Sequence, residues 1–300
     1  MLIRPLRFGY NRETAETNKF QAQETGVDED VFSEAALIEF DRFAETLRSS
    51  GVNVFVFDDT AEPEKPDAIF PNNWVSFHAD ATVVVYPMCA ANRRPERRPD
   101  IIDELRTRFR IDKVIDLSHY ETRGRFLEGT GSIVFDHVNR VAYACLSPRT
   151  DAGLLAEVCG SLGYRPHSFH ASDANGDAIY HTNVMMCVGT GFVVICLASI
   201  TSADERKSVV KSFEDGNLAI IDITLDQMNC FAGNMLEVAG DGDKNLLVLS
   251  ATASESLNAA EKDALAEFCT LLPIPIPTIE TVCGGSSRCM IAEIFLPNLA

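Results

Sequence analysis

The sequence predicts an α/β fold closed into a ring of five similar units. Three observations carry that expectation. β-rich runs alternate with amphipathic helical stretches along the whole chain, joined by short polar loops. The candidate helices end near residues 49, 109, 162, 213 and 268, so successive ends lie 60, 53, 51 and 55 residues apart. Units at near-constant spacing bury their faces against one another, and five are enough to close a ring. The composition is that of an ordinary globular chain, with 46% hydrophobic and 23% charged residues. Residues 1–300 are therefore expected to form one domain. The alternative is a plain α/β sheet with irregular insertions.

Taken in order, residues 4–10 are expected as a strand, 33–49 as a helix and 52–57 as a strand. On the helix, Ala36, Leu37, Phe40, Phe43 and Leu47 form one apolar stripe. The second unit has a strand at 82–86 and a helix at 99–109. The third has a hairpin from 132–135 and 141–146, then a helix at 151–162 with Thr150 as its N-cap. The fourth has strands at 184–188 and 192–197 around Gly-Thr-Gly, then a helix at 203–213. The fifth has strands at 235–238 and 245–249 around Gly-Asp-Gly-Asp, then a helix at 255–268. Residues 290–296 read as a last short strand.

Charge and cysteine usage narrow the function. The 26 basic and 44 acidic side chains give a formal net charge of −18, which disfavours nucleic acid and anionic membrane as partners. The nine cysteines are odd in number and contain no Cys-x-x-Cys pair, which argues against a disulfide framework and against zinc. With no apolar signal core and no run of transmembrane length, a cytoplasmic protein is expected.

Chemistry-bearing residues cluster in the joints between units. Near the C-terminus, Cys283-Gly-Gly-Ser-Ser-Arg-Cys289-Met290 is a pliable loop that ends in a cysteine. Cys289 is either a nucleophilic thiol or a small buried hydrophobe; Arg288 either lowers its proton affinity or points away. His181, in Tyr-His-Thr-Asn183, stands at the mouth of an apolar strand and is the candidate acid/base. His78, His119, His137, His167 and His170 lack that setting. Glu128, between an apolar pair and a glycine turn, would hold a positive group or orient a histidine. Asp67, Asn72 and Asn73 surround the only tryptophan and would read a planar head group; Pro-Asn-Asn is also turn chemistry. Arg93 and Arg149 lie in strand-to-helix loops and suit a carboxylate.

These residues together resemble the guanidino-group-modifying (pentein) superfamily of arginine deiminases, dimethylarginine dimethylaminohydrolases and amidinotransferases. The resemblance runs from about Pro66 to Met290. It implies a five-bladed α/β propeller, in agreement with the five units. It places Cys289 on the nucleophile, His181 on the general acid/base and Glu128 on the glutamate of Glu-Gly-Gly-Asp, although Glu-Gly-Thr-Gly here lacks the aspartate. It places Arg149 and Arg93 on the substrate carboxylate, Asp67 on the aspartate of Pro-Asp-x-x-Phe, and Cys283 where the family uses a backbone carbonyl. Asn72, Asn73 and Asn183 stand where relatives carry carboxylates. Amides in those places suit a neutral head group, because a charge-assisted hydrogen bond contributes roughly 1.5–3 kcal/mol against about 1 for a neutral one. The resemblance thus implies a hydrolase with no metal or organic cofactor, acting on a small amino acid. Citrulline is preferred, to give ornithine, ammonia and carbon dioxide. Arginine, dimethylarginine and amidino transfer are the alternatives. A non-catalytic amino-acid-binding protein is the alternative of a different class, and a homodimer is one assembly open to it.

Overall fold

The computed structural model describes residues 1–21, 29–241 and 245–299, with backbone alone at 29–31. Five small sheets form a five-bladed α/β propeller. Four blades share one plan. An antiparallel hairpin comes first, a helix follows, and the chain returns as a third strand parallel to the second.

The first blade met along the chain is the two-stranded one. It pairs β1 (Leu2–Arg4) with β2 (Val56–Asp58) in parallel. The next has β3 (Val75–Phe77), β4 (Thr82–Val85) and β5 (Lys113–Asp116). Then come β6 (Val134–Asp136), β7 (Val141–Cys145) and β8 (Arg165–Phe169). The fourth blade holds β9 (Met186–Gly189), β10 (Phe192–Ile195) and β11 (Ala219–Asp222). The last holds β12 (Leu236–Val238), β13 (Leu246–Ser250) and β14 (Thr270–Ile274). The ring closes where the Ala292 N–H donates to the Met1 carbonyl at 3.1 Å and Ile294 bridges Phe77 of β3.

Middle strands are buried along their length, as in Phe192–Ile195, because hairpin partner, parallel partner and helix cover them. The helix Ala152–Leu162 shows how a unit is fixed locally. Leu154, Leu155, Val158, Cys159 and Leu162 bury one stripe, which packs on β8. Asp151 caps its start by accepting from the Leu154 N–H, and Gly163 ends it at φ 71°.

Several expected elements are corrected. Residues 4–10 are not a strand, since pairing stops at Arg4 where Pro5 has no N–H to donate. The strand expected at 52–57 pairs only over Val56–Asp58. Thr150 is not the cap; its hydroxyl donates to Ser132 Oγ and Asp151 takes the role. The helix expected at 255–268 is two, Ala251–Ser256 and Ala259–Ala266, because Asn258 starts a new capping box with Glu261. Residues 290–296 keep only the bridge at Ile294, since the turn that presents Cys289 takes up the beginning of the segment. The turn around Gly240 to Asp243 lies partly outside the described residues. Among those residues no helix is long and apolar enough to cross a membrane.

Removing the second cap in the last blade is expected to matter measurably. Asn258→Ala should lower stability by ~1 kcal/mol, read as a reduced urea midpoint at unchanged slope.

Candidate active site

In every blade the chain makes a tight turn just before the innermost strand. The turns are Pro71–Asn73 before β3, Gly129–Ser132 before β6, Thr182–Met185 before β9, 231–233 before β12 and 287–290 near the chain end. A short turn there halts the backbone and projects one or two polar side chains inward. Asn73, Glu128, His181, Asn183, Asn234 and Cys289 sit in or beside these turns and are all buried.

The turns are stitched together by hydroxyls. Ser132 Oγ accepts from the Glu128 N–H at 3.0 Å and donates to the Arg149 carbonyl at 2.9 Å. Thr182 Oγ1 donates to the Ser132 carbonyl at 2.6 Å and accepts from the Cys145 N–H at 2.8 Å. Two glycines allow the close approach. A Cβ on Gly129 would stand 2.2 Å from the Asn72 carbonyl oxygen, and one on Gly131 would stand 2.5 Å from Asn73 Nδ2 and 2.8 Å from His181 Nδ1.

At the centre is Glu128, fully buried. Its Oε2 lies 2.7 Å from His181 Nε2 and 3.5 Å from Arg149 Nη1, and its Oε1 accepts from the Cys89 N–H at 2.8 Å. Burial raises the Glu128 carboxyl, but Arg149, the His181 hydrogen bond and Arg93 overcome it and hold the group well below the usual range. The carboxylate is thus ionised, so the bond from His181 is Nε2–H donating to it. Nδ1 is then the lone-pair nitrogen. Burial pushes the imidazole down to about 4 despite Glu128, so His181 is a neutral base at neutral pH.

Arg93 is held in a fork by Glu96, with Nε to Oε1 and Nη2 to Oε2 both 2.8 Å, while Nη1 donates to Asn73 Oδ1 at 2.8 Å. Burial pushes the Glu96 carboxyl up, to about 7, against the pull of Arg93. Asp67 Oδ2 accepts from Asn11 Nδ2 at 2.7 Å and lies 3.5 Å from Arg93 Nε. Asp67 Oδ1 and Asn73 Nδ2 have no N–H or O–H or carbonyl partner, and neither has either side-chain atom of Asn72. Arg149 donates from Nε to Thr17 Oγ1 at 2.9 Å, from Nη2 to the Thr14 carbonyl at 3.0 Å and to Thr17 Oγ1, and lies over the Tyr180 ring.

Cys289, 6% exposed, directs its sulfur to Asn183 Nδ2 and Asn234 Nδ2, both at 3.3 Å. Arg288 points away from it, to the Ile291 carbonyl and Glu293. The Cys283 carbonyl accepts from Asn18 Nδ2 at 3.0 Å, and burial followed by Asp67 pushes its thiol well above the ordinary value.

One small cavity of about 20 Å³ joins Cys289, His181, Asp67, Asn73, Arg93, Arg149 and Cys283, together with Thr14, Asn18, Phe70 and Tyr180. Glu128 acts on it through His181. Asn72 lies behind the wall, and Asn183 reaches the site through the sulfur. A cavity of about 650 Å³ between the innermost strands takes in Arg288 but not Cys289, His181 or Glu128, so its size does not make it the reaction site. Residues that sequence reasoning passed over are Asn11, Thr14, Asn18, Glu96 and Asn234. Asn234 had a signal, since Gly-Asn-Met occupies the same joint as Asn73 and Asn183. The N-terminal residues had none; only packing brings them over the cavity.

Two outcomes test these electrostatics. His181 binds its proton near 4 folded and about 6.5 unfolded. Between those values the unfolded chain holds more protons, so unfolding free energy should fall as pH drops from about 6.5 toward 4. Glu128, held low in the fold, acts in the same sense at lower pH. Glu96, pushed up to about 7, acts in the opposite sense over part of this range, so the His181 contribution is read as a difference: between pH 7 and pH 5 in urea unfolding, wild type should lose more stability, or gain less, than His181→Asn. Glu128→Gln leaves Arg149 without its buried counter-charge and should cost roughly 3–5 kcal/mol in the same assay.

A family model described as N,N dimethylarginine dimethylhydrolase, eukaryotic, matches residues 4–296. None of the curated proteins compared with the chain matches it. Among solved structures, the chain is similar to apo ArgZ, an arginine dihydrolase from the ornithine-ammonia cycle in cyanobacteria. The TM-score is 0.75 at 16% identity, covering 98% of this chain and 40% of that one. The N-terminal domain of ArgZ, a cysteine-to-serine variant bound to substrate, gives 0.74 at 16% identity, with 98% of each chain covered. A dimethylarginine dimethylaminohydrolase in an adduct with S-methyl-L-thiocitrulline gives 0.63 at 15% identity, covering 97% and 98%. At these identities the likeness is one of fold. The chain spans about 40% of the length of full ArgZ.

Proposed function

Because the chain belongs to the eukaryotic N,N-dimethylarginine dimethylhydrolase family, we propose that it is a cysteine-dependent hydrolase. It cleaves a carbon–nitrogen bond in the planar head group of an arginine-type amino acid. The observation that carries this reading is one small cavity lined by Cys289, a neutral His181 backed by ionised Glu128, and Asp67 with a free carboxylate oxygen.

The free atoms favour a ureido group. A guanidinium offers only donors. A ureido group offers donors and one carbonyl acceptor. The wall presents a free acceptor, Asp67 Oδ1, and a free donor, Asn73 Nδ2. The Asn73 orientation is set by Arg93, whose N–H requires Oδ1. A ureido oxygen on Asn73 and its terminal NH2 on Asp67 would satisfy both, and citrulline is the amino acid of that chemistry. The second reading is a guanidinium, as in arginine or dimethylarginine, favoured by the negative charge of Asp67 on the cavity wall.

In the reaction, His181 Nδ1 takes the Cys289 proton and the sulfur adds to the head-group carbon. The carbon–nitrogen bond breaks as His181 returns the proton to the leaving nitrogen. Water then adds to the covalent intermediate, giving a proton to His181, and the carbon–sulfur bond breaks to restore the thiol; with citrulline the released product is a carbamic acid, whose remaining carbon–nitrogen bond breaks as it loses carbon dioxide to leave the second amine. Arg149 is the candidate for the substrate carboxylate, since beyond its ion pair with Glu128 at 3.5 Å its hydrogen-bond partners Thr14 and Thr17 are exchangeable neutral groups, whereas Arg93 is in a fork with Glu96. The cavity of about 20 Å³ holds a water and not an amino acid.

The test is turnover of citrulline, arginine and dimethylarginine side by side, reading ornithine, citrulline and ammonia. Ornithine from citrulline is expected, with Cys289→Ala slower by ~10⁴-fold or more and His181→Ala by roughly 10²–10⁴. Turnover of arginine or dimethylarginine alone would replace the ureido reading by the guanidinium one. Turnover that survives Cys289→Ala would overturn both.

A further inference from the structure

We propose that Asn234 is a catalytic residue. Its amide N–H, together with that of Asn183, holds the Cys289 sulfur as a hydrogen-bond acceptor, favouring the thiolate and aiming it into the cavity. The inference rests on the reading of Cys289 as nucleophile. The geometry points to it in three ways.

The first is orientation. Asn234 Oδ1 accepts from the Arg288 N–H at 3.0 Å, and Nδ2 donates to the Asn183 carbonyl at 2.9 Å. One neighbour requires an acceptor and the other a donor, so the amide has a single assignment. The group 3.3 Å from the sulfur is therefore an N–H. Asn183 presents a second one at 3.3 Å. Oδ1 of the Asn234 amide also lies within reach of the sulfur, at 3.7 Å, where it can take the proton of the thiol form; the two shorter contacts, at 3.3 Å, are the ones that hold the sulfur as an acceptor.

The second is the surroundings. The charged and titratable groups facing the cavity with the sulfur are Asp67, Arg93, Arg149, His181, Cys283 and Tyr180. Arg93 is matched by Glu96 and Asp67, and Arg149 by Glu128. The adjacent Arg288 is turned to Glu293. No cation in contact with the sulfur is left to favour its negative form among the described residues. The oriented amides are the groups that touch it.

The third is what the chain gives up to put Asn234 there. Phe231 adopts φ 62°, a conformation that bulky side chains avoid. The Asn234 N–H closes the turn onto the Phe231 carbonyl at 2.8 Å. Between them, a Cβ on Gly233 would stand 2.4 Å from the Val184 carbonyl oxygen, so this position needs glycine. Strained backbone and a glycine-only position deliver a side chain that is 1% exposed.

The test follows alkylation of Cys289 by iodoacetamide against pH, resolved from the other cysteines by peptide mass spectrometry. It needs no substrate. Asn234→Asp keeps the shape and the acceptor for Arg288 but replaces the N–H at the sulfur by an oxygen. Its profile should move upward by about one pH unit, making Cys289 roughly tenfold slower to alkylate at pH 7. Asn234→Ser, which also loses the donor without adding charge, should move it in the same direction. The turnover number should fall with little change in KM, because Asn234 touches the sulfur and not the substrate. A folded Asn234→Asp or Asn234→Ser whose profile superposes on wild type overturns the proposal. So does a wild-type Cys289 that reacts only above about 8.5, as an ordinary thiol does; that arm decides the matter if both variants unfold. A displaced profile with no turnover of any substrate would leave Asn234 in its role and remove the substrate reading alone.

Discussion

A carboxylate with no exposure to water must be compensated from every side, and Glu128 is such a group. Its compensation fixes most of the site. His181 faces one oxygen because that oxygen needs a donor. Arg149 lies beside it because the charge needs a counter-charge. The Cys89 N–H reaches across from the neighbouring blade to the other oxygen. Once His181 gives its Nε2–H to Glu128, the lone pair of Nδ1 is left for chemistry. One buried charge thus selects the tautomer, the orientation and the base form of the histidine.

The propeller makes this possible by repetition. Each blade ends its approach to the centre in a turn, and each turn delivers one or two polar groups. No single blade carries a site. The cysteine, the histidine, the glutamate and the asparagines are far apart in sequence and meet because the ring closes. Small residues at the joints are as necessary as the functional ones. Gly129, Gly131 and Gly233 each stand where a methyl group would strike a backbone carbonyl or a site side chain.

The periodic parts of the fold were legible. Helices over 33–49, 151–162 and 203–213 and the hairpins around Gly189–Gly191 and 136–141 follow from apolar stripes and turn residues. The third strand of the four three-stranded blades was not. Lys113–Asp116 and Ala219–Asp222 are short and mostly exposed or half-buried, and each pairs in parallel with a strand some thirty residues away. Parallel pairing leaves no local turn signal, so such strands emerge only from the assembled sheet. The site behaved in the same way. Cys289, His181, Glu128 and Asp67 stood out as a set at successive joints and by the family resemblance, not one by one. Glu96 did not, because a glutamate next to arginines in a polar loop reads as a solvated surface until Arg93 is seen buried in its fork.

By itself, the sequence determined the five-unit ring, the acidic and cysteine-rich but disulfide-poor character of the chain, and which residue types could do covalent chemistry. Periodicity and composition are local properties, so local reading recovers them. Only the tertiary structure decided which atoms are left unpartnered. Asn73 Nδ2 and Asp67 Oδ1 are free, and Arg288 turns from the sulfur while Asn234 turns toward it. Whether a polar atom is satisfied depends on neighbours brought from other blades, which no stretch of sequence contains.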